Sequence, residues 1–259
     1  TSTSVITSQD IERSPAQSLP DILAQQAGVQ VLHQTGNPLG VNDAVDLRGF
    51  GAFAQSNVLV LVNGRRYQDF DLQGFDFATI PLNSIERIEI TRGNSGAVLY
   101  GDGVVGGVIN IVTKTGTGLP PSARVEGAFG SFRYKEARTS ANGSVGPLSV
   151  ALNSIGITSD GYRDNSKLHQ KGLNGDIRWA TQEGSAYFNV IVDDQKLGLP
   201  GGRLVTPTSS ELVTNRTGAA TPNDYADKQG QNYTLGVART IVPGMEAILD
   251  GSFRRKTTQ

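Results

Sequence analysis

The chain contains no cysteine and only two histidines, His33 and His169. No disulfide can form, and a structural zinc or iron centre, which draws on thiolate and imidazole, has almost nothing to build from. The absence of cysteine is compatible with a periplasmic or surface location without establishing one. Charge of one sign is missing too. With 23 basic and 24 acidic residues the net charge is −1, so no bulk field recruits nucleic acid or an anionic membrane surface. No apolar run approaches the ~20 residues of a membrane-spanning helix, and no signal peptide opens the chain, so a secreted protein would have been trimmed, or recorded from its mature part. A mean hydropathy of −0.24 leaves a membrane barrel open, because strands that alternate lipid-facing and lumen-facing residues average out.

What is present centres on Ile85 to Lys114, IERIEITRGNSGAVLYGDGVVGGVINIVTK. Ile88 and Ile90 share one face of a strand, with Arg87 and Glu89 on the other. Arg92-Gly93 breaks it, Ser95 to Tyr100 can form a short helical stretch before Gly101, and Val108 to Val112 reads as a buried strand. Gly101, Gly103 and Gly106 spell a dinucleotide-binding pattern, with Glu126 at a suitable distance. That fingerprint needs a strand before it and a helix after it, so that a helix N-terminus meets the pyrophosphate. Here the order is reversed, and the glycines read as backbone turning beside a packed sheet. An enzyme reading rests on nothing else, since no nucleophile–base arrangement stands out.

Upstream, Ser8 can cap a helix through Ile11 and Glu12, stopped near Pro15. A second helix starts at Ser18 and is stopped by Gly28. Val29 and Val31 alternate as a short strand, and Val58 to Val62 is unbroken and apolar. Asn63-Gly64 turns that strand back as Arg65-Arg66-Tyr67, a solvated hairpin pair.

These words, in this order, resemble the plug domain of TonB-dependent outer-membrane receptors. The likeness is carried by SVITSQDI, SLPDILAQQAGVQV, DLRGFG, VLVLVNGRR, Ile85-Glu86-Arg87-Ile88-Glu89, Arg92-Gly93, Leu99-Tyr100-Gly101 and Gly106-Gly107-Val108-Ile109-Asn110. Within it Gly49, Asn63, Gly64, Gly93, Tyr100, Gly101, Gly106, Gly107 and Asn110 form the plug signature. The resemblance implies a plug over residues 1–117. It also implies plug–barrel charged contacts at Arg48, Arg87, Glu89 and Arg92, with plug-internal pairing as the alternative. By position, the loops at the plug apex put Gln34, Asn37, Phe53, Gln55, Tyr67, Asp69, Phe70 and Phe75 within reach of a substrate, with packing under the plug as the alternative for each of the four aromatics. The family's apolar coupling box does not occupy Thr1 to Ser4, so it lies upstream or coupling by that route is in question.

From about Pro120 the pattern becomes period two. Ala123, Val125, Gly127 and Phe129 alternate with polar neighbours, as do Leu173, Gly175, Ile177 and Trp179, and later Ala247, Leu249, Gly251 and Phe253. Between Leu148 and Ile157 the phase slips near Asn153-Ser154, which suggests a bulge. Tight connections at Gly146-Pro147, Gln182-Glu183-Gly184 and Pro243-Gly244 alternate with long polar loops, Ser159 to Leu168 and Gly198 to Lys228. That asymmetry separates the two ends of an outer-membrane barrel. About seven strands of the ~10 residues that spanning requires follow the plug, against about 22 in a barrel with a plugged lumen. The fold expected is therefore mixed: a small α+β plug, then antiparallel transmembrane strands over 118–259 that form part of a barrel.

The function implied by the resemblance is energy-coupled uptake of a scarce solute across the bacterial outer membrane, a ferric siderophore or similar metal chelate first among cargoes. The partners implied are a TonB-type protein with its inner-membrane motor, outer-membrane lipid and the small-molecule or chelate ligand. Nucleic acid, a cofactor and a resident metal are not expected; Asp193-Asp194 reads as a solvated strand end. The alternative is a receptor-like barrel serving as a structural subunit of a larger complex.

Overall fold

The computed structural model describes residues 2–33, 43–67, 74–93, 104–242 and 244–259. The chain divides into two compact units, Thr1–Lys114 and Thr115–Gln259.

The first unit opens with β1 (Ser2–Thr7) and α1 (Ser8–Arg13). The cap is Thr7 rather than Ser8, and it forms a capping box in which its hydroxyl accepts from Asp10 N while the Asp10 carboxylate accepts from Thr7 N. Ser18 caps α2 (Leu19–Ala24), whose Ile22 and Leu23 are fully buried. There follow β2 (Gln30–Leu32), β3 (Ala44–Asp46), α3 (Ala54–Asn57), β4 (Val58–Val62), β5 (Arg65–Arg66), β6 (Ile85–Arg92) and β7 (Gly107–Thr113). The main sheet has the order β1-β6-β7-β4-β5, with β4 and β7 parallel and the other pairs antiparallel. β2 and β3 pair separately.

Alternation dictates the core. In β6, Ile88 and Ile90 are buried while Arg87 is exposed, and β4, flanked on both edges, is apolar and buried at every position. Asn63 and Gly64 both have positive φ (52° and 77°), the backbone a type I′ hairpin turn requires. Gly106 shows why the glycine-rich stretch is glycine-rich. Its N–H donates to Asn57 O at 2.8 Å, and a Cβ there would stand 2.9 Å from that same oxygen. Close approach of backbones beside a sheet is thus its role. The helical stretch expected over Ser95 to Tyr100, and Gly101 and Gly103, lie outside the described residues.

The second unit is a seven-stranded antiparallel meander: β8 (Ser122–Gly130), β9 (Tyr134–Val145), β10 (Leu148–Ser159), β11 (Leu168–Ala180), β12 (Gly184–Gly198), β13 (Tyr225–Val242) and β14 (Met245–Thr258). Connections at one end are tight, and those at the other are the short 131–133 and the long 160–167 and 199–224. The bulge expected at Asn153-Ser154 does not exist. Asn153 pairs with Ser140 and Asn174, and Ser154 with Thr139 and Leu173, in unbroken register. What inverts there is the chemistry, not the backbone. Leu148, Val150 and Leu152 face outward, and beyond them the outward positions become Ser154, Gly156 and Thr158 while Ile155 and Ile157 turn inward.

Candidate functional site

The loop DLRGFG is held by its own first residue. Asp46 is buried; Oδ1 accepts from Arg48 N and Gly49 N at 2.9 Å each, and Oδ2 accepts from Gly51 N at 2.7 Å. Burial pushes its carboxyl up, but the N–H groups of Arg48, Gly51, Phe50 and Gly49 outweigh that and hold it below the usual aspartate value. The ring of amides fixes the 3₁₀ turn Gly51–Phe53, and that turn presents Phe53 with 73% of its surface exposed.

The neighbouring loop base is closed by His33 Nδ1 against Asp43 Oδ2 at 2.7 Å, beside the β2–β3 pairing of Leu32 with Ala44. Sequence reading missed this pair because nothing in a ten-residue separation announces it. Asp43, Gln55 and Phe75 also border an internal cavity of about 10 Å³, the room of about one water and far too small for a solute.

Of the expected apex residues, Phe53 offers open aromatic surface and Gln55 is half-buried against Gly74. Tyr67 and Phe75 take the second of their two readings and are buried under the plug surface. Tyr67 meets Phe75 edge-on at 5.7 Å and Phe75 meets Phe77 at 4.8 Å. Three large rings hide more apolar area together, and gain edge-to-face contact, than any could while solvated on a loop. Gln34, Asn37, Asp69 and Phe70 lie outside the described residues.

The charged positions make contacts within the first unit. Arg87 Nε reaches Glu89 Oε1 at 2.7 Å, and Glu89 Oε2 accepts from Asn110 Nδ2 at 2.9 Å. Asn110 Oδ1 in turn accepts from Gly64 N at 3.0 Å, while Asn63 Oδ1 accepts from Thr113 N at 2.9 Å. One network therefore joins the hairpin turn to β6 and β7 and accounts for the signature residues Asn63, Gly64 and Asn110. The Asn110 bond, with Arg87 adding to it against burial, holds Glu89 below its ordinary value. Arg92 donates to Ser4 Oγ at 2.7 Å and to Ala27 O at 2.9 Å, tying edge strand β1 to the turn after α2. Arg48 lies over Gly93, where φ is +98° and a Cβ would come within 3.2 Å of its Nη2. Gly107, with φ +143°, abuts Thr91 O. Tyr100 and Gly101 lie outside the described residues.

The second unit is sorted inside out. Its register sets Leu148, Trp179, Ala186, Val237 and Leu249 in one outward row, then Val150, Ile177, Phe188, Leu235 and Gly251, then Leu152, Gly175, Val190, Tyr233 and Phe253. A fourth row, with Leu173 and Val192, is mixed. Beyond it come Lys171, Asp194, Gln229 and Thr257, and the apolar band ends. Four rows two residues apart span about 20 Å along the strands. On the opposite face Ser149, Asn153, Asn174, Asp176, Asn189 and Thr234 are buried.

Residues 1–108 match the model of the TonB-dependent receptor plug domain. The chain's first unit is therefore a plug domain of the TonB-dependent receptor type. A vitamin B12 transporter, BtuB, of Vibrio cholerae is 39% identical over 162 residues, covering 61% of this chain and 25% of the relative. BtuB of Photobacterium profundum is 29% identical over 242 residues, covering 87% of this chain and 38% of the relative. The unliganded ferric citrate transporter FecA superposes with a TM-score of 0.80 at 21% identity, over 99% of this chain and 40% of that one. The chain thus spans a quarter to two fifths of the length of these relatives. The first unit carries the plug of this outer-membrane receptor family, and the seven strands are barrel strands without closure. No group of three potential metal ligands occurs among the described residues.

Proposed function

We propose that the chain is the N-terminal portion of an outer-membrane transporter that takes up a scarce metal chelate by TonB-coupled remodelling of its plug. The observation that carries this reading is the inverted sheet, apolar outward and polar inward, directly following a plug. A sheet folded over its own core has the opposite sorting, whereas one spanning a bilayer shows lipid an apolar band ~25 Å tall and keeps its polar side toward a lumen. Ferric siderophores and corrinoids are the cargo classes supported by the named relatives, the 39% identity favouring a corrinoid and the folds of the structural neighbours leaving both.

The roles are assigned by resemblance to the family. Phe53 and Gln55 meet the ligand at the apex, together with the loops bearing Gln34, Asn37, Asp69 and Phe70. Arg87, Glu89 and Arg92 brace the plug through the internal bonds described, and partly solvated ion pairs of this kind contribute only modestly each, which leaves the plug open to remodelling. A TonB-type protein with its inner-membrane motor draws on the segment leading into β1, and no covalent chemistry is involved. The test is uptake of radiolabelled vitamin B12 and of ferric siderophores by a strain lacking the full-length receptor, complemented with and without TonB. TonB-dependent restoration of one cargo supports the proposal. Restoration of none, with the protein stably inserted and bound to other subunits, supports a structural role instead.

A further inference from the structure

The connection 199–224 folds on itself. Leu199 N donates to Asp224 O at 2.9 Å and Ala220 N to Pro200 O at 2.8 Å, closing its base. Arg163, from the connection 160–167, fills that base. Its Nη1 donates to Gly201 O at 2.7 Å, its Nη2 to Pro200 O and Gly218 O at 3.1 Å each, and its Nε to Gly218 O at 3.3 Å. Beyond the base, Val205 bridges Ser210 in a small hairpin closed by Glu211 N on Leu204 O at 3.1 Å.

Beside that closing pair stands Arg203, its side chain only 9% exposed. Nη1 lies 3.8 Å from Glu211 Oε2, an oxygen that already accepts from Leu204 N at 3.3 Å. Nε and Nη2 are buried and meet no protein acceptor. Solvation alone favours the reverse arrangement, because Leu204 and Val213 on the same hairpin are 65% and 77% exposed while the cation is inside. A buried guanidinium with unmet donors is among the costliest groups a fold can hold. Arg163 shows that this very loop can saturate one with carbonyls.

The two unmet donors are the informative ones. Nε–H and the adjacent Nη2–H form the side-on fork of the guanidinium, which matches two oxygens of a single carboxylate or phosphate. We infer that Arg203 anchors an oxyanion site in this loop, gripping a carboxylate or phosphate group through Nε and Nη2 while Glu211 orients Nη1. Its use in capturing the transported solute rests on the receptor reading above; the site itself does not.

The test uses the full-length receptor in detergent, titrated calorimetrically with inorganic phosphate and with citrate at constant chloride. The same measurement is made on R203K and R203Q, with crystals soaked in selenate alongside. One anion is expected per receptor, with a selenium anomalous peak beside Nε and Nη2. R203K should weaken binding about tenfold, since lysine lacks the fork, and R203Q about a hundredfold. Preference for phosphate or for citrate tells which chemistry the site takes. Equal binding by wild type and R203K, or no binding by wild type, overturns the inference, and R203K decides if R203Q does not fold. Because anion binding is read apart from uptake, loss of one with the other intact separates this inference from the transport proposal.

Discussion

The two units of this chain treat the same residue types in opposite ways. In the plug, Leu59, Ile88, Ile109 and Ile111 are shut away from all solvent, while Glu86 and Arg87 on the same sheet stay exposed. In the barrel strands, Phe129 is 82% exposed, whereas Gln195 is wholly buried. Both are antiparallel-rich sheets with period-two patterning, so under the proposed function the difference lies in the medium each outer face meets. An apolar outward row is a liability in water and a requirement in hydrocarbon. Hydropathy averaged along the chain conceals this, and the register that lines up neighbouring strands reveals it.

The largest effect should come from the plug. Leu59→Ala leaves a void in a core closed on every side and should cost about 2–5 kcal/mol, read from denaturant unfolding of the full-length receptor with a reporter on the plug. The matching change Leu235→Ala in the barrel should cost much less, because lipid chains fill the space; equal losses would break the comparison. Leu235→Arg should cost about 2–4 kcal/mol for folding into vesicles, measured by urea titration, and a harmless outcome would mean that this face does not meet lipid.

Asp46→Ala should cost about 1–3 kcal/mol, since three backbone N–H groups lose their acceptor. Its carboxyl, like that of Glu89, is held below the ordinary value in the folded plug. The stability each contributes is therefore fully present above about pH 4 and is lost as the pH falls through the folded value. Asp46→Ala should flatten the acid limb of plug unfolding followed by circular dichroism. The smallest effect is Thr7→Ala, about 1 kcal/mol, through loss of the capping box on α1, visible as earlier hydrogen exchange at Asp10 N.

Much of this architecture was legible. Alternation marked out β8 and β11 to β14, and the spacing of glycine, proline and polar runs separated tight turns from long loops. Asn63-Gly64 announced its hairpin, because few other dipeptides accept two positive φ values. The parallel pairing of β4 with β7 was hidden, since pattern reports which face is apolar and not which strand is adjacent. At Asn153 the alternation misled, because an exchange of apolar and polar positions between the two faces imitates a change of register. Tyr67 and Phe75 admitted two readings, because an aromatic on a loop can serve a ligand or its own core, and only the position of Phe77 decides. Arg203 gave no signal, since burial of one cation among exposed leucines is a property of the folded loop.

The connectivity described above also sets an order of assembly. Every barrel strand pairs only with its sequence neighbours, so hairpins such as β9–β10 and β11–β12 close over a few residues and can zip early. The plug must instead bring Ser2 to Arg92 and Val58 to Gly107, long closures that cost chain entropy before any contact repays it. On loop-closure grounds the plug is expected to reach its native pairing more slowly than these hairpins, which pulsed hydrogen exchange during refolding would check.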